Sequence, residues 1–447
     1  MTRAVQPKDW SKYATTRASR ARIACGLAYA DTAGRIYFDE RSEPLADDGR
    51  VREPRREELI PAPSGTVPAL LPRRAPLVAG VRGAQMRGKA TRRQGETLAG
   101  SRVAPERVAL SVLLPAGYTR LLLPAYRSEL DAPPLPLFGY TFACVVDDRL
   151  HVAAARTDAS DDWTPRTFVA GALERLVAAR RARDPDNAVL AQLEVCATRY
   201  ACFTAQNVFL ERGEAALPVS PRCNARCIGC ISEQEPEAGF PAPQTRVSDE
   251  AAVDALVRIA LSHLERVPDG IVSFGQGCEG EPLLRVTTIA AAIEHIRAQT
   301  NAGTINLNTN GSLPQSLDTL IAAGLDAVRV SLNSFRPQTY AAYYRPLGYA
   351  LDDVFESVRR AAAAGLRVSL NLLTHPGVTD DAREIAASDE LLSSVRVAMV
   401  QTRTLNIDPE RYFEAVGRPQ TPPLGMREAL RRLAASGARI GNFTHTH

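Results

Sequence analysis

The 447-residue sequence lacks a long uninterrupted apolar run. Its longest apolar stretch, from Val108 to Tyr126, is interrupted by Pro115, Gly117 and Arg120. Because a helix needs roughly 20 apolar residues to cross a bilayer, this stretch favours two strands around a turn over a membrane span. No apolar signal-peptide core follows the basic N-terminus. We therefore expect a soluble, cytoplasmic protein with no membrane partner.

The sequence also lacks a large excess of charge of one sign. Its 54 Lys and Arg residues face 50 Asp and Glu residues, and this balance identifies no partner. The first 110 residues are more basic, with twenty-one Lys or Arg against twelve Asp or Glu. Their basic run from Arg82 to Arg93 could contact RNA phosphates. Because no aromatic residues are interleaved with these cations, a solvated loop is the alternative interpretation.

Cysteine is too sparse for a secreted disulfide scaffold, because only eight are spread over the chain. Three of them fall within eight residues, as Cys223-Asn-Ala-Arg-Cys227-Ile-Gly-Cys230. Such a group indicates metal binding or redox chemistry in a reducing compartment. Three thiolates can hold three irons of a [4Fe–4S] cube and leave the fourth iron open. A structural zinc site is the alternative, although zinc takes four ligands and no second cysteine pair stands nearby.

The chain changes pattern near residue 210. Residues 1–210 predict an N-terminal α+β domain of unknown role, with hairpins over 23–40 and 138–156 and a Pro/Arg-rich loop at about 41–107. Helical periodicity appears over 166–182 and from 187 towards 208.

Residues 211–447 alternate short β-branched runs with helical stretches, which predicts a parallel sheet with crossover helices. A complete eight-stranded barrel usually needs about 250 residues, so six strands fit this segment better. The fold class is therefore α/β, a partial (β/α)6 TIM-like barrel with an N-terminal α+β domain. The predicted strands are 216–219, 270–274, 304–307, 327–332, 367–373 and 395–400, and the predicted helices are 249–267, 286–299, 313–323, 352–364, 380–391 and 425–435.

The cysteine motif follows the first predicted strand, at the sheet edge where parallel α/β folds place their active sites. A second motif, Gly277-Cys278-Glu279-Gly280-Glu281-Pro282, follows the next strand. With these two motifs, the chain resembles the radical S-adenosylmethionine (radical SAM) superfamily from about Ala215 to Asp408. Two further segments are Cys202-Phe-Thr-Ala-Gln-Asn207 and Leu405-Asn-Ile-Asp-Pro409. Through these segments and Gly275-Gln-Gly-Cys-Glu-Gly-Glu-Pro-Leu283, the chain also resembles a group of bacterial radical SAM enzymes that carry an N-terminal extension. The resemblance implies a [4Fe–4S] cluster and S-adenosylmethionine as cofactors.

The resemblance also implies roles for individual residues. Cys223, Cys227 and Cys230 would bind the cluster, and Gly280 and Glu281 would bind the methionine amino group. Cys278 is either a hydrogen-atom donor or a small residue packed in a tight turn. Each of the remaining polar candidates either binds the cofactor or substrate or caps its own turn. These candidates are Ser331, Asn333, Asn308, Thr309, Asn371 and Gln401.

The sequence departs from the superfamily pattern at three points. Glu279 stands where the first glycine of the second motif usually stands. Gly229 stands where an aromatic residue usually lies near adenine, which leaves that contact without its usual side chain. Recognisable cobalamin-binding and Cys-rich C-terminal segments are missing. Four further cysteines could form an auxiliary cluster, or could be buried free thiols. They are Cys25, Cys144, Cys196 and Cys202.

The functional prediction is an enzyme that cleaves S-adenosylmethionine reductively and generates a 5′-deoxyadenosyl radical. Its partners would include an electron donor such as flavodoxin or ferredoxin. The substrate could be a peptide, an RNA or a small molecule, and the sequence does not choose among them. The alternative from another class is a non-catalytic zinc or iron–sulfur protein for binding or sensing.

Overall fold

The computed structural model describes residues 25–79, 101–103, 107–158 and 171–442. The chain divides into two compact units. The first comprises residues 1–159, 374–382 and 404–429, and the second comprises the remainder. This division differs from the predicted boundary at residue 210, because residues 160–210 belong to the second unit. The basic run from Arg82 to Arg93 lies outside the described residues.

Antiparallel strands build the first unit. The first predicted hairpin is confirmed as β1 (Gly26–Ala30) and β2 (Ile36–Asp39), and the second as β13 (Ala143–Val146) and β14 (Arg149–Arg156). The other strands are β3 (Ala46–Asp47), β4 (Val51–Arg52), β5 (Leu59–Pro61), β6 (Val67–Leu71), β7 (Arg74–Ala79), β8 (Ser101–Val103), β9 (Val108–Leu113), β10 (Tyr118–Arg120), β11 (Leu123–Pro124) and β12 (Tyr126–Ser128). The largest sheet has the order β10-β14-β13-β1-β9-β6, with β2 added on β1 and β5 on β14.

The prediction that residues 41–107 form mostly irregular loop was wrong for the described part of that segment. Strands β3 to β8 lie there. All of β6 pairs with β9, from Val67 opposite Leu113 to Leu71 opposite Ala109. Because the pairing partner lies far along the chain, and Pro68 interrupts the local pattern, this strand leaves no periodic signal in its own sequence.

The second unit contains a parallel sheet of seven strands in sequential order from β15 to β21. They are β15 (Glu214–Leu217), β16 (Ile271–Phe274), β17 (Thr304–Thr309), β18 (Ala327–Leu332), β19 (Arg367–Leu373), β20 (Met399–Arg403) and β21 (Arg439–Gly441). The helices of the chain are α1 (Ala172–Arg183), α2 (Ala188–Thr198), α3 (Phe203–Leu210), α4 (Val253–Arg266), α5 (Val286–Arg297), α6 (Pro314–Ala323), α7 (Pro337–Tyr344), α8 (Leu351–Ala363), α9 (Ala382–Ser394), α10 (Pro409–Val416) and α11 (Met426–Ala435). The partial barrel is therefore confirmed in outline.

The predicted number of six parallel strands was one too few. The seventh strand, β21, pairs with β20 through Arg439 opposite Met399 and Gly441 opposite Gln401. A strand of three residues is too short to show periodicity. Its pairing is decided by the position of the neighbouring strand.

Alternation along each strand gives the sheet two different faces. One face is apolar, and Val272, Leu307 and Val330 on it are completely buried. Helix α8 shows the matching pattern, since Leu351, Val354 and Val358 recur on one side and are buried. The opposite face carries polar side chains, which the next subsection describes.

Among the residues that the structure describes, no helix is long and apolar enough to cross a membrane.

Candidate cofactor site

The three clustered cysteines lie in the loop that follows β15, and all three are half-buried free thiols. Helix α7 holds this loop in place, because Arg226 N–H donates to the carbonyl of Tyr344 at 3.0 Å and Ile228 N–H to that of Tyr343 at 3.0 Å. Within the loop, Cys230 N–H donates to the Cys227 carbonyl at 3.1 Å. Backbone hydrogen bonds thus fix the conformation of the loop that carries the motif.

Burial suppresses ionisation of two of these thiols, Cys223 and Cys227. It raises the pKa of Cys223 to about 11, with the carboxyl group of Glu281 adding to the effect. Burial also raises the pKa of Cys227 well above its usual value, and the neighbouring thiols add to that. Buried thiolates therefore need a positive partner, which bound iron would provide.

One cation is already in place beside the motif. Arg246 Nη2 donates to Sγ of Cys230 at 3.5 Å, and Arg246 Nε donates to Oγ of Ser232 at 3.2 Å. Its third contact is an ion pair with Glu233 at 2.5 Å. Arg246 lies outside both sequence motifs, and sequence analysis missed it.

Two glycines let backbone and ring approach the cysteine loop closely. A Cβ at Gly280 would lie 2.0 Å from the carbonyl oxygen of Arg222, so the second motif packs directly on the first. A Cβ at Gly229 would lie 2.4 Å from the hydroxyl of Tyr343. The ring of Tyr343 therefore occupies the space where a side chain at position 229 would begin.

Two buried glutamates tie the second motif to neighbouring strands. Glu281 accepts hydrogen bonds from Leu283 N–H at 2.9 Å, the Thr309 hydroxyl at 2.5 Å and Asn310 N–H at 2.8 Å. Burial raises the pKa of Glu281 to about 7. The structure therefore brings together Glu281 and Thr309, two of the predicted site residues.

Glu279 stands where the superfamily pattern has glycine. Its carboxylate binds backbone N–H groups just before the cysteine loop. Its carboxylate accepts from Val219 N–H at 2.8 Å, Ser220 N–H at 2.8 Å and Gln276 N–H at 2.6 Å. Burial raises the pKa of Glu279 to about 7. Sequence analysis noted this departure but missed the structural role that follows from it.

The inner face of the sheet carries a network centred on a buried ion pair between Arg329 and Glu214, whose Nη1 and Oε1 atoms are 3.2 Å apart. The hydroxyl of Ser273 donates to Glu214 at 2.5 Å, and Asn306 Nδ2 donates to that hydroxyl at 3.0 Å. Arg329 also donates to Oδ1 of Asn308 at 2.7 Å. The predicted residue Asn308 thus belongs to this ion-pair network.

A second polar group gathers around Arg403 at the end of β20. Arg403 Nε donates to Oδ1 of Asn371 at 2.6 Å, and Arg403 Nη2 donates to Oε1 of Gln401 at 2.6 Å. Two predicted residues therefore meet at an arginine that was not among the candidates. Among the others, Asn333 donates to the carbonyl of Thr339 in α7 at 3.3 Å.

Comparison with known proteins agrees with this geometry. Residues 217–388 match the family model described as the radical SAM superfamily. Residues 217–388 belong to that superfamily. Its members use a [4Fe–4S] cluster and S-adenosylmethionine, and these are the cofactors of the radical SAM domain.

The similar curated proteins include two GTP 3′,8-cyclases and a FeMo cofactor biosynthesis protein. The chain is 32% identical to a GTP 3′,8-cyclase of Heliobacterium modesticaldum, over 50% of this chain and 63% of that protein. It is 33% identical to a GTP 3′,8-cyclase of Streptomyces coelicolor, over 36% of this chain and 45% of that protein. It is 28% identical to the FeMo cofactor biosynthesis protein NifB of Klebsiella pneumoniae, over 52% and 51%. The chain therefore spans about half to two thirds of these relatives.

Similar solved structures include a radical SAM methyltransferase from Sphaerobacter thermophilus. That likeness covers 51% of this chain and 64% of the other, with 15% identity and a TM-score of 0.35.

Three thiols in one loop suit a [4Fe–4S] cube, because each thiolate would bind a separate iron. Within residues 25–79, 101–103, 107–158 and 171–442, no group of three or more His, Cys, Asp or Glu side chains is placed to hold one metal ion.

Four of the five remaining cysteines form two separate pairs. Cys278 is 2% exposed, and its thiol contacts that of Cys196, which is completely buried. Cys144 and Cys25 contact each other in the first unit. Cys202 lies near the Cys196 pair, since its N–H donates to the Cys196 carbonyl at 3.0 Å. The auxiliary cluster that would join members of both groups stays a prediction.

Proposed function

We propose that the protein is a radical SAM enzyme whose cluster is held by Cys223, Cys227 and Cys230. The observation that carries the proposal is the placement of three half-buried thiols in one loop, beside a guanidinium and directly after the first strand of a parallel sheet. When bound, the cluster and S-adenosylmethionine supply a 5′-deoxyadenosyl radical, which acts on a substrate at the carboxyl ends of the strands. The alternative of a non-catalytic zinc protein is not favoured by this arrangement.

The second motif would hold the methionine end of S-adenosylmethionine. The carboxylate of Glu281 has about four acceptor sites, and three donors of the chain occupy three of them. One acceptor site is left for an ammonium group. Gly280 keeps this carboxylate next to the cysteine loop, because any larger residue would collide with Arg222.

Side chains from the later strands would complete the site. Ser331 is half-buried near the end of β18, opposite Asn371. Its side-chain hydroxyl has no hydrogen-bond partner among the described residues. Its hydroxyl is therefore available to the cofactor. Asn308, Asn371 and Gln401 would act through the arginines that they contact. Asn333 would connect the loop after β18 to α7.

The proposal includes an electron donor as partner, because reductive cleavage consumes one electron for each S-adenosylmethionine. A low-potential carrier such as flavodoxin or ferredoxin would supply it. Cys278 stays a candidate hydrogen-atom donor, although its thiol lies against Cys196.

Anaerobic reconstitution tests the proposed function. The full chain should bind about four irons and release 5′-deoxyadenosine when given dithionite and S-adenosylmethionine. Single Ser substitutions of Cys223, Cys227 and Cys230 should abolish both properties. Cys202→Ser is the matched comparison, because it removes another partly exposed thiol outside the motif. It should keep about four irons and the release of 5′-deoxyadenosine, and a loss of iron in this variant would instead indicate the auxiliary cluster. Tetrahedral zinc in place of iron, with no 5′-deoxyadenosine, would overturn the proposal.

GTP is the first substrate to assay, because two of the relatives at 32% and 33% identity are GTP 3′,8-cyclases. If this chain acts on GTP, the nucleotide should be consumed in step with formation of 5′-deoxyadenosine. Release of 5′-deoxyadenosine with no loss of GTP would remove this candidate and leave the radical chemistry in place.

A further inference from the structure

Two cysteine thiols outside the cluster motif contact each other in the interior of the second unit. Cys196 lies in α2 and is completely buried, and Cys278 follows β16 and is 2% exposed. Buried free cysteines usually pack as small hydrophobic residues. These two differ, because the sulfur of Cys196 takes part in polar contacts with the other thiol and with a side-chain amide.

Two hydrogen bonds stabilise the thiolate form of Cys196. The thiol of Cys278 donates one of them, and Nε2 of Gln192, one turn earlier in α2, donates the other at 3.4 Å. The bond from Cys278, and to a smaller extent that from Gln192, lower the pKa of Cys196 against the opposing effect of burial. Because the thiolate is the nucleophile in disulfide chemistry, the pair consists of one nucleophile and one proton donor.

A third cysteine connects this buried pair to solvent. Cys202, at the N-cap of α3, is partly exposed, and its backbone N–H donates to the carbonyl of Cys196 at 3.0 Å. In the first turn of α3, the Thr204 hydroxyl donates to Oε1 of Gln276 at 2.8 Å. The start of α3 is therefore joined both to α2 and to the segment that carries Cys278. This arrangement places an accessible thiol beside the buried pair.

We propose that Cys196 and Cys278 are a redox modification site, which is oxidised reversibly to a disulfide through a mixed disulfide at Cys202. Thiols that are already in contact need only a small side-chain movement to reach the S–S bond length of about 2.05 Å. The oxidant would be a small disulfide such as glutathione disulfide, because an accessible thiolate can attack it without help from a metal.

Three thiol–disulfide exchanges give a balanced reaction. The Cys202 thiolate attacks glutathione disulfide, forms the mixed disulfide and releases one glutathione. The Cys196 thiolate then attacks the Cys202 sulfur and releases the second glutathione. Cys278 next attacks the Cys196 sulfur, its proton passes to the departing Cys202 thiolate, and the buried disulfide is complete. Two cysteines thereby lose two electrons and two protons, and glutathione disulfide becomes two molecules of glutathione.

The disulfide would connect α2 to the segment that is proposed to bind the cofactor. Cys278 directly precedes Glu279, whose carboxylate binds backbone N–H groups before the cysteine loop. The carbonyl of Cys278 also accepts from Val247 N–H at 2.8 Å. Oxidation would therefore act on the part of the chain that carries Glu281. This consequence rests on the proposed function, whereas the oxidation itself does not.

Redox titration of the anaerobically reconstituted full chain in glutathione buffers tests the proposal. Free thiols are alkylated, and peptide mass spectrometry then identifies the cysteines that are disulfide-bonded. Cys196 and Cys278 should lose their alkylation together, appear as one cross-linked pair of peptides and return to thiols with dithiothreitol. A pair that stays reduced in glutathione disulfide alone would overturn the proposal. Because peptide mapping observes these cysteines directly, the result does not depend on whether iron is bound.

Single variants separate the roles of the three thiols. Cys278→Ser should trap a disulfide between Cys196 and Cys202, because the last exchange then lacks its nucleophile. Cys202→Ser should slow oxidation about tenfold and leave the titration midpoint unchanged, because this thiol is absent from the final disulfide. Cys144→Ser is the matched control and should change neither, since Cys144 is equally buried and contacts Cys25 in the first unit. Equal oxidation rates in Cys202→Ser and the wild type would contradict the route through Cys202.

Discussion

At the scale of single residues, the environment of Cys230 is decided by one side chain from outside the motif. Arg246 contacts the Cys230 sulfur and two neighbouring side chains, so its guanidinium is held in place. A cation and a hydrogen bond at a ligand sulfur both favour the reduced, more negative state of an iron–sulfur cluster. If Cys230 binds the cluster as proposed, Arg246 is a positioning residue that acts on the cluster through this ligand.

Arg246→Gln should lower the midpoint potential of the reconstituted cluster. A tenfold change in the reduction equilibrium corresponds to about 59 mV for one electron, and a shift of that order is expected. Glu233→Gln should shift the potential in the opposite direction, because it removes the carboxylate that partly neutralises Arg246. Redox titration followed by electron paramagnetic resonance measures both. An unchanged midpoint in Arg246→Gln, at equal iron content, would show that the contact does not tune the cluster.

At the scale of elements, helix α7 and the cysteine loop form one assembly. Backbone hydrogen bonds join them, and the ring of Tyr343 lies against the bare backbone of Gly229. Behind this contact the rings of Tyr340 and Tyr344 stack with centroids 4.5 Å apart. Glycine at position 229 is therefore explained by an aromatic residue from a different element that occupies the same space.

Paired substitutions test that explanation. Gly229→Ala should reduce iron incorporation, because its Cβ would lie 2.4 Å from the Tyr343 hydroxyl. Tyr343→Phe removes that hydroxyl and leaves ring atoms no closer than 3.2 Å, so in the double variant it should restore iron binding toward the level of Tyr343→Phe alone. Iron content per chain after anaerobic reconstitution is the measurement. Additive effects of the two changes would mean that no steric contact connects them.

At the scale of the whole molecule, the first unit is assembled from separate stretches of chain, and this brings acidic groups together. Asp380, which follows β19, is completely buried, and its Oδ2 has no hydrogen-bond partner. Burial first, and the nearby charge of Asp48, raise the pKa of Asp380 to about 8. Oδ1 of Asp48 is likewise buried without a hydrogen-bond partner.

The raised pKa of Asp380 predicts a loss of stability with rising pH. The folded protein holds a proton on Asp380 up to about pH 8, whereas the unfolded chain releases it near 3.8. Stability should therefore fall as the pH rises between these values, by at most about 1.4 kcal/mol per pH unit from this group. Asp380→Asn mimics the protonated carboxyl and should flatten that dependence. Urea unfolding from pH 5 to 9 measures it, and parallel curves for both proteins would contradict the assignment.

The sequence by itself determined the parallel sheet and the cysteine motif, since both depend on local spacing. Alternating strands and helices produce short-range periodicity in the sequence. A loop that follows a parallel strand can lie only at the carboxyl edge of the sheet. The two antiparallel hairpins were predictable for the same reason, because each closes through a short turn.

Only the tertiary structure decided which other side chains reach the site and where the short strands pair. Arg246 meets Cys230, Tyr343 fills the space at Gly229, and Glu279 clamps the chain before the cysteine loop, although no local pattern marks any of them. Strands β6 and β21 are assigned by partners distant in sequence. Such contacts join elements that are brought together only when the whole chain packs, so periodicity within a window of residues carries no record of them.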